Sequence, residues 1–375
     1  MNNNFNYTFT DNFIFIKSIN HSNHNLNNLN NIYLFDLDNT IIQTKSGKVF
    51  PTNYNDWKWQ CDSVPSIINK LYDKSIIGII TNQKGLRTKL LIDNFIIKIN
   101  NILTKINVHF IFISIKDDKY RKPIPQSWIY IKNNYLNFNI DKHKIYFIGD
   151  ALGRKNDHSD TDLKYAINSN FKIKTPEKIF NYNQICDNNA SITYPDIVYY
   201  SIKKQDKIIQ NIFNIINNHT KIIIFLIGFP ASGKSFIRNI IINKFNKFKY
   251  INNDDIGNNV NNKNLVKSYD DYHFIINDNT NMNIDILAKN IKNFNDFCKI
   301  GIFFDYDIDI CMHLNYMRMV WFDKPLISKV VYRTLNKKFN KKLLINQQHI
   351  FNHFISFDKL LYQFKYYDDH IKYYF

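Results

Sequence analysis

Cysteine is scarce in this chain: four among 375 residues (Cys61, Cys186, Cys298 and Cys311), with no C-x-x-C pair. That scatter argues against a disulfide framework, carries no zinc-binding spacing, and suits a reducing compartment. Long apolar runs are missing too. The longest, "IIIFLIGF" at 222–229, falls far short of the about 20 residues that a bilayer-crossing helix needs. The Asn-rich N-terminus lacks the basic-then-apolar pattern of a secretion signal. An intracellular, soluble protein with no membrane partner is expected. Acidic residues are outnumbered, 32 against 49 basic ones, for a formal charge of +17. The excess suits a polyanionic partner, although an A/T-rich codon bias toward Lys, Asn and Ile accounts for it nearly as well. No internal repeat is present.

What is there reads as a globular protein: 45% of residues are hydrophobic, and the length is enough for two domains with separate cores. Residues 1–12 and 18–31, polar and Asn-rich, are expected to be mobile, with "FIFIK" (13–17) between them as a candidate edge strand. From Ile32 to about Phe180, "IYLF", "SIIGII", "VHFIFISI" and "KIYFIG" alternate with helix-length stretches, the pattern of a parallel sheet with crossover helices. "CDNNASITYPD" (186–196) reads as turn-rich linker. The βα rhythm then restarts with "KIIIFLI" (221–227), "FKYI" (248–251), "HFIIN" (273–277) and "KIGIFF" (299–304). The expected architecture is two α/β domains, 32–185 and 220–375, joined by a linker region over 186–219.

Ligand-binding groups in an open α/β sheet collect beyond the carboxyl ends of the strands. Asp36 and Asp38 follow the first of these strands, Thr81 and Asn82 the second, Lys122 the third and Asp150 the fourth. Two acids one residue apart repel and raise each other's pKa, so stability alone disfavours the pair. Phosphomonoester chemistry, however, uses this set. One carboxylate attacks phosphorus, a second moves the proton, Mg²⁺ offsets their repulsion, and a lysine and a hydroxyl hold the phosphoryl group. In the second half, "GFPASGKS" fits G-x-x-x-x-G-K-[ST] between a strand and a helix-like stretch. Its residues Gly228, Phe229, Pro230, Ala231, Ser232, Gly233, Lys234 and Ser235 are a candidate ATP cradle, with Ser235 a metal ligand. Asp254 in "NNDDIG" is placed to accept a proton from a hydroxyl nucleophile, and Arg318 in "MHLNYMR" to bring charge from a lid.

"DLDNT", "TNQ", "YRKP" and "GDALGR" resemble the four motifs of the haloacid dehalogenase phosphatase superfamily. The resemblance implies Asp36 as nucleophile, Asp38 as general acid/base, Thr81 and Asn82 at the phosphate, and Lys122 as the stabilising cation. It implies Mg²⁺ on Asp36, Asp150 and the main-chain carbonyl of Asp38. With "GFPASGKS", "NNDDIG" and "DNTN" behind it, and with "SGKVFP", "DW" and "TPEKIF" within the first half, the chain resembles the polynucleotide kinase 3′-phosphatases of animal type. That family removes 3′ phosphates and phosphorylates 5′ hydroxyls with ATP, on DNA or RNA strand ends that a separate ligase then seals. Two departures touch the kinase half: Asn253 and Tyr316 stand where the family carries arginines. The family's N-terminal phosphopeptide-binding module is expected to be missing, since only about thirty residues precede the first motif. A nucleotidase joined to a small-molecule kinase, a 3′-phosphatase with an inactive kinase domain, and an end-binding protein with decayed catalysis are the alternatives.

Overall fold

The computed structural model describes residues 4–19, 26, 28–29, 31–140, 143–182, 202–251 and 273–358. The chain divides into two units, one within Met1–Tyr194 and one within Pro195–Tyr367. In the first, strands β1 (Phe5–Phe9), β2 (Phe13–Ser18) and β3 (Asn31–Phe35) are followed by a small antiparallel ribbon of β4 (Ile42–Gln43) and β5 (Lys58–Trp59). Then come β6 (Ser75–Asn82), β7 (Phe110–Ser114), β8 (Lys144–Ile148) and β9 (Lys172–Lys174). The main sheet runs β1-β2-β7-β6-β3-β8-β9, with β7 through β9 parallel and β1 and β2 antiparallel.

Its central strands read as continuous apolar runs because both faces are covered. Ile77 and Ile79 of β6 face a cluster with Ile99 and Ile102 of the helix Lys89–Leu103 and Val64 and Ile68 of the helix Val64–Tyr72. Ile76 and Ile80, one residue out of phase, join Phe110, Phe112, Trp128 and Tyr165 on the other face. Thr88 starts the longer helix, its hydroxyl accepting a bond from the Leu91 amide. The N-terminal expectation needs correcting. Phe5–Phe9 is an ordered edge strand, and β2, expected at the edge, is flanked on both sides because β1 pairs along it.

The second unit contains an all-parallel sheet of β10 (Ile222–Ile227), β11 (Lys249–Ile251), β12 (Phe274–Asn277), β13 (Cys298–Asp305) and β14 (His353–Asp358), in the order β11-β12-β10-β13-β14. Part of the expected linker is also folded: Ile202–Asn217 is a helix whose Ile212 and Ile216 are buried in this unit's core. Residues 183–201 lie outside the described residues. In both sheets the first parallel strand, β3 or β10, is flanked by strands reached in opposite directions. That is the switch point at which α/β sheets open a crevice.

Gly78 marks how tightly β6 meets β7: an added Cβ would run into the Phe110 ring. Gly78→Ala is expected to destabilise the first unit by roughly 1–3 kcal/mol through overpacking, read as a lower denaturant midpoint. An unchanged midpoint would contradict the packing described.

Candidate active sites

The first crevice is organised around one buried ammonium. Lys122 Nζ donates to Asp36 Oδ1 and to Asp162 Oδ1, each at 2.7 Å, and its side chain is only 2% exposed. Burial alone lowers a lysine pKa, but the two carboxylates outweigh it and hold Lys122 above its ordinary value. Asp36 leaves the end of β3, its amide donating to the Ile148 carbonyl of β8. Asp150 follows β8, with Thr40 Oγ1 3.4 Å from its Oδ1. Asp162 sits in the first turn of the helix Thr161–Asn168, and its Oδ2 accepts from the Ala151 amide at 3.2 Å. Gly149 makes this possible, because a Cβ there would overlap the Asp162 carboxylate.

Asp36, Asp150 and Asp162 bring one carboxylate oxygen each to within 4.8 Å of one another. Burial, followed by the neighbouring acids, pushes Asp36 up to about 8 despite Lys122. Asp150 is pushed up to about 7 by burial and then Asp162. Three ionised carboxylates around one ammonium would leave an excess of two negative charges, which is the charge of one divalent cation. An all-oxygen, carboxylate-rich donor set is what the hard cation Mg²⁺ takes. The residues present therefore fit the metal, with Asp162 as a ligand-set member that sequence reasoning missed. Its only signal was a second acid shortly after "GDALGR", in "SDTDLK".

Asp38 stands apart from that cluster. Gln83 Nε2 donates to its Oδ2 at 2.6 Å and to Thr81 Oγ1 at 3.0 Å, and Lys98 Nζ lies 3.6 Å from its Oδ1. Its side chain remains 48% exposed, open to a substrate, while Lys98 is buried beside the Phe95 ring. Gln83 closes the motif "TNQ" without a role that the sequence assigns, and Lys98 does not stand out in it. Thr81 and Asn82 end β6 as expected. The Asn82 side chain, though, is engaged with Lys122: its Oδ1 accepts from the Lys122 amide and its Nδ2 donates to the Lys122 carbonyl, both at 3.0 Å. That amide positions the lysine. Arg154 of "GDALGR" bonds the Asp150 carbonyl, Asp157 and Glu177, which ties the loop after β8 to "TPEKIF". Asp56 of "DW" accepts from the amides and hydroxyls of Thr52 and of Ser46, the first residue of "SGKVFP", and these bonds hold its carboxyl well below the usual range.

The second crevice opens after β10. Gly228 (φ 155°) carries the chain into a loop where a Cβ would lie 3.0 Å from both Phe304 Cβ and Ser232 Oγ. Ala231 and Gly233 also have positive φ, and the helix Lys234–Phe245 starts without a side-chain cap. Its first amides are thus aimed at the loop, as an anion site requires. Lys234 Nζ donates to the Gly228 and Phe229 carbonyls at 3.0 and 2.6 Å, groups that phosphate oxygens would replace. Among the described residues, Ser232 Oγ is buried without a hydrogen-bond partner. These features fit a nucleotide's phosphates. Asp278 of "DNTN", after β12, accepts from Ser235 Oγ at 3.2 Å and Arg238 Nη1 at 2.7 Å, and Gly228 donates to the Thr280 carbonyl. Asp278 opens the motif "DNTN" without a role that the sequence assigns, and Arg238 does not stand out in it. Arg318 lies on the helix Ile308–Phe322 and donates to the Pro325 carbonyl at 2.7 Å. It interacts electrostatically with Tyr332, whose hydroxyl donates to the Pro230 carbonyl. Asp254 and Asn253 lie outside the described residues.

Residues 31–180 match the family described as polynucleotide kinase 3 phosphatase. The bifunctional polynucleotide phosphatase/kinase of Schizosaccharomyces pombe is 35% identical over 207 residues, covering 54% of this chain and 48% of that protein. The polynucleotide 3′-phosphatase ZDP of Arabidopsis thaliana is 31% identical over 167 residues, or 40% of this chain and 24% of that one. The chain thus spans less than half the length of these two relatives. A chain of Acanthamoeba polyphaga mimivirus named as a bifunctional polynucleotide phosphatase/kinase is 27% identical over 376 residues, covering 87% of this chain and 84% of its own.

The geometry has two consequences. Gly149→Ala would push Asp162 from Lys122, and phosphate-ester turnover by the first crevice is expected to fall about 100-fold, the usual cost of a misplaced catalytic group. Unchanged turnover would separate Asp162 from the chemistry. The raised Asp36 and Asp150 values mean that the folded state binds protons which the unfolded chain has already released. Metal-free stability from these groups is complete below about pH 4 and declines as pH climbs through about 7 and 8. Melting temperatures of metal-free wild type are therefore expected to fall relative to Asp150→Asn between pH 5 and 8, with Mg²⁺ reversing the loss in wild type. A gap independent of pH would refute the assignment.

Proposed function

We propose that this chain, whose residues 31–180 match the polynucleotide kinase 3 phosphatase family, repairs nucleic-acid strand ends, removing 3′ phosphates and phosphorylating 5′ hydroxyls with ATP. The observation that carries the reading is the Lys122 ammonium bridging Asp36 and Asp162, with Asp150 and Asp38 at the same strand ends. Asp36 attacks phosphorus and forms an aspartyl phosphate as the bond to the sugar oxygen breaks. Asp38, exposed and held by Gln83, gives that oxygen a proton, then takes one from the water that attacks the aspartyl phosphate, releasing inorganic phosphate. Lys122 and Thr81 hold the phosphoryl oxygens. Asp36, Asp150 and Asp162, with the main-chain carbonyl of Asp38, would hold Mg²⁺, which when bound neutralises phosphoryl charge and favours the ionised Asp36.

The second unit supplies the kinase. The Gly228–Ser235 loop and Lys234 cradle the ATP phosphates, Ser235 and Asp278 would hold the nucleotide's metal, and Asp254 takes the proton of the 5′ hydroxyl. Arg318 would need to leave the Pro325 carbonyl to meet the transferring phosphate. Residues 32–185 carry the first activity and 220–375 the second. DNA or RNA ends are the substrates, the +17 charge supports a polyanion, and a separate ligase completes the seal.

The reading is tested on a nicked duplex bearing a 3′ phosphate and a 5′ hydroxyl, with Mg²⁺ and labelled ATP. Asp36→Asn is expected to abolish 3′-phosphate release and leave 5′ labelling intact, while Lys234→Ala does the reverse. Loss of both activities in either variant, or of neither in both, would overturn the division of labour. Asp38→Asn should lose most activity on the sugar phosphate but less on an activated aryl phosphate, whose leaving group needs little protonation. Equal losses on the two substrates would remove Asp38 from the proton step.

A further inference from the structure

The far edge of the second sheet gathers a thiol and two imidazoles that no phosphoryl-transfer step uses. His219 lies in the turn between the helix Ile202–Asn217 and β10, Cys298 opens β13, and His353 opens β14. Strand register brings them together: Ile222 pairs with Cys298, and Ile300 with His353, so three adjacent strands begin side by side. One ligand atom from each residue lies within 4.8 Å of the other two. The imidazole centroids are 5.5 Å apart, and Cys298 is only 9% exposed. The phosphate loop lies beyond the opposite end of β10, six residues away, on the order of 20 Å at about 3.3 Å per residue.

The surroundings of His219 favour metal binding over a mere packing contact. Its Nδ1 lies 2.8 Å from the Ile215 carbonyl. A carbonyl can only accept, so Nδ1 carries the proton and Nε2 keeps a lone pair. A carbonyl or carboxylate behind the ring is the usual outer partner of a metal-bound histidine, fixing both tautomer and orientation.

We propose that His219, Cys298 and His353 form a site for a borderline-soft divalent cation, of which Zn²⁺ suits the one-sulfur, two-nitrogen donor set. Tetrahedral zinc at about 2.0–2.1 Å from nitrogen and about 2.3 Å from sulfur needs its ligand atoms roughly 3.5 Å apart, a small contraction of this cluster. The fourth position is open to water. On binding, the Cys298 thiol gives its proton to solvent and the thiolate bonds the metal, with no change of oxidation state. The ion then pins the edge strand β14 to β13 and to the turn before β10. The ligands are dispersed over more than half of the second unit's sequence, which is why no zinc-type spacing betrays them.

The test uses the full chain, stripped with a chelator and desalted, and does not depend on activity. Titration with Co²⁺ is expected to give one equivalent that produces a thiolate-to-cobalt charge-transfer band and is displaced by Zn²⁺. Zn²⁺ should also raise the melting temperature of protein already saturated with Mg²⁺, and excess Mg²⁺ should not remove the band. Cys298→Ser is expected to lose the band and the thermal shift. Should that variant misfold, His219→Gln, at a partly buried residue, is expected to weaken retention at least tenfold. Failure of the wild type to retain cobalt or zinc through desalting would overturn the proposal. So would an unchanged band in Cys298→Ser, since it would place the ion on another cysteine.

Discussion

Lys122 buried between Asp36 and Asp162 is the interaction around which the first site is built. A buried ammonium with one partner removed typically costs about 3–5 kcal/mol, so the two acids and the lysine are mutually required. That requirement propagates outward. Asp162 has room only because Gly149 has no side chain, Asn82 grips the lysine's main chain from both sides, and Arg154 anchors the loop that carries Asp150. The result is a carboxylate-rich cluster held around one buried ammonium.

The second site reaches phosphate by a different use of the same architecture. Here the main chain supplies the donors: a glycine-rich turn leaves β10, and a helix begins without a cap. One lysine is folded back onto the Gly228 and Phe229 carbonyls. Asp278 joins Ser235 to Arg238, so its carboxylate holds both a hydroxyl and a cation in register with the loop. Both sites sit where the strand order reverses, although one works through side-chain charge and the other through oriented amides.

Much of this was legible in the sequence, because the parallel strands are covered on both faces and announce themselves as apolar runs. Strand ends then locate Asp36, Thr81, Asp150 and the phosphate loop directly. What escaped depends on tertiary return. Asp162 matters only because a helix brings its first turn back against the loop after β8, and Lys98 only because a helix face passes Asp38. The strand Phe5–Phe9 alternates too weakly among asparagines to stand out. The helix Ile202–Asn217 hides its apolar stripe among lysines and asparagines. The His219, Cys298 and His353 cluster is created by strand register, which no local spacing encodes.

The proposed phosphatase reaction requires Asp36 to be the group that carries the phosphoryl moiety. The most direct measurement is rapid quenching of Asp38→Asn protein with a 3′-³²P-labelled oligonucleotide and Mg²⁺, followed by peptide mapping. A hydroxylamine-labile label on the peptide containing Asp36, absent when Asp36→Asn is added to the same protein, is the expected result. Release of labelled phosphate without any protein-bound label, or a label on a different residue, would contradict it.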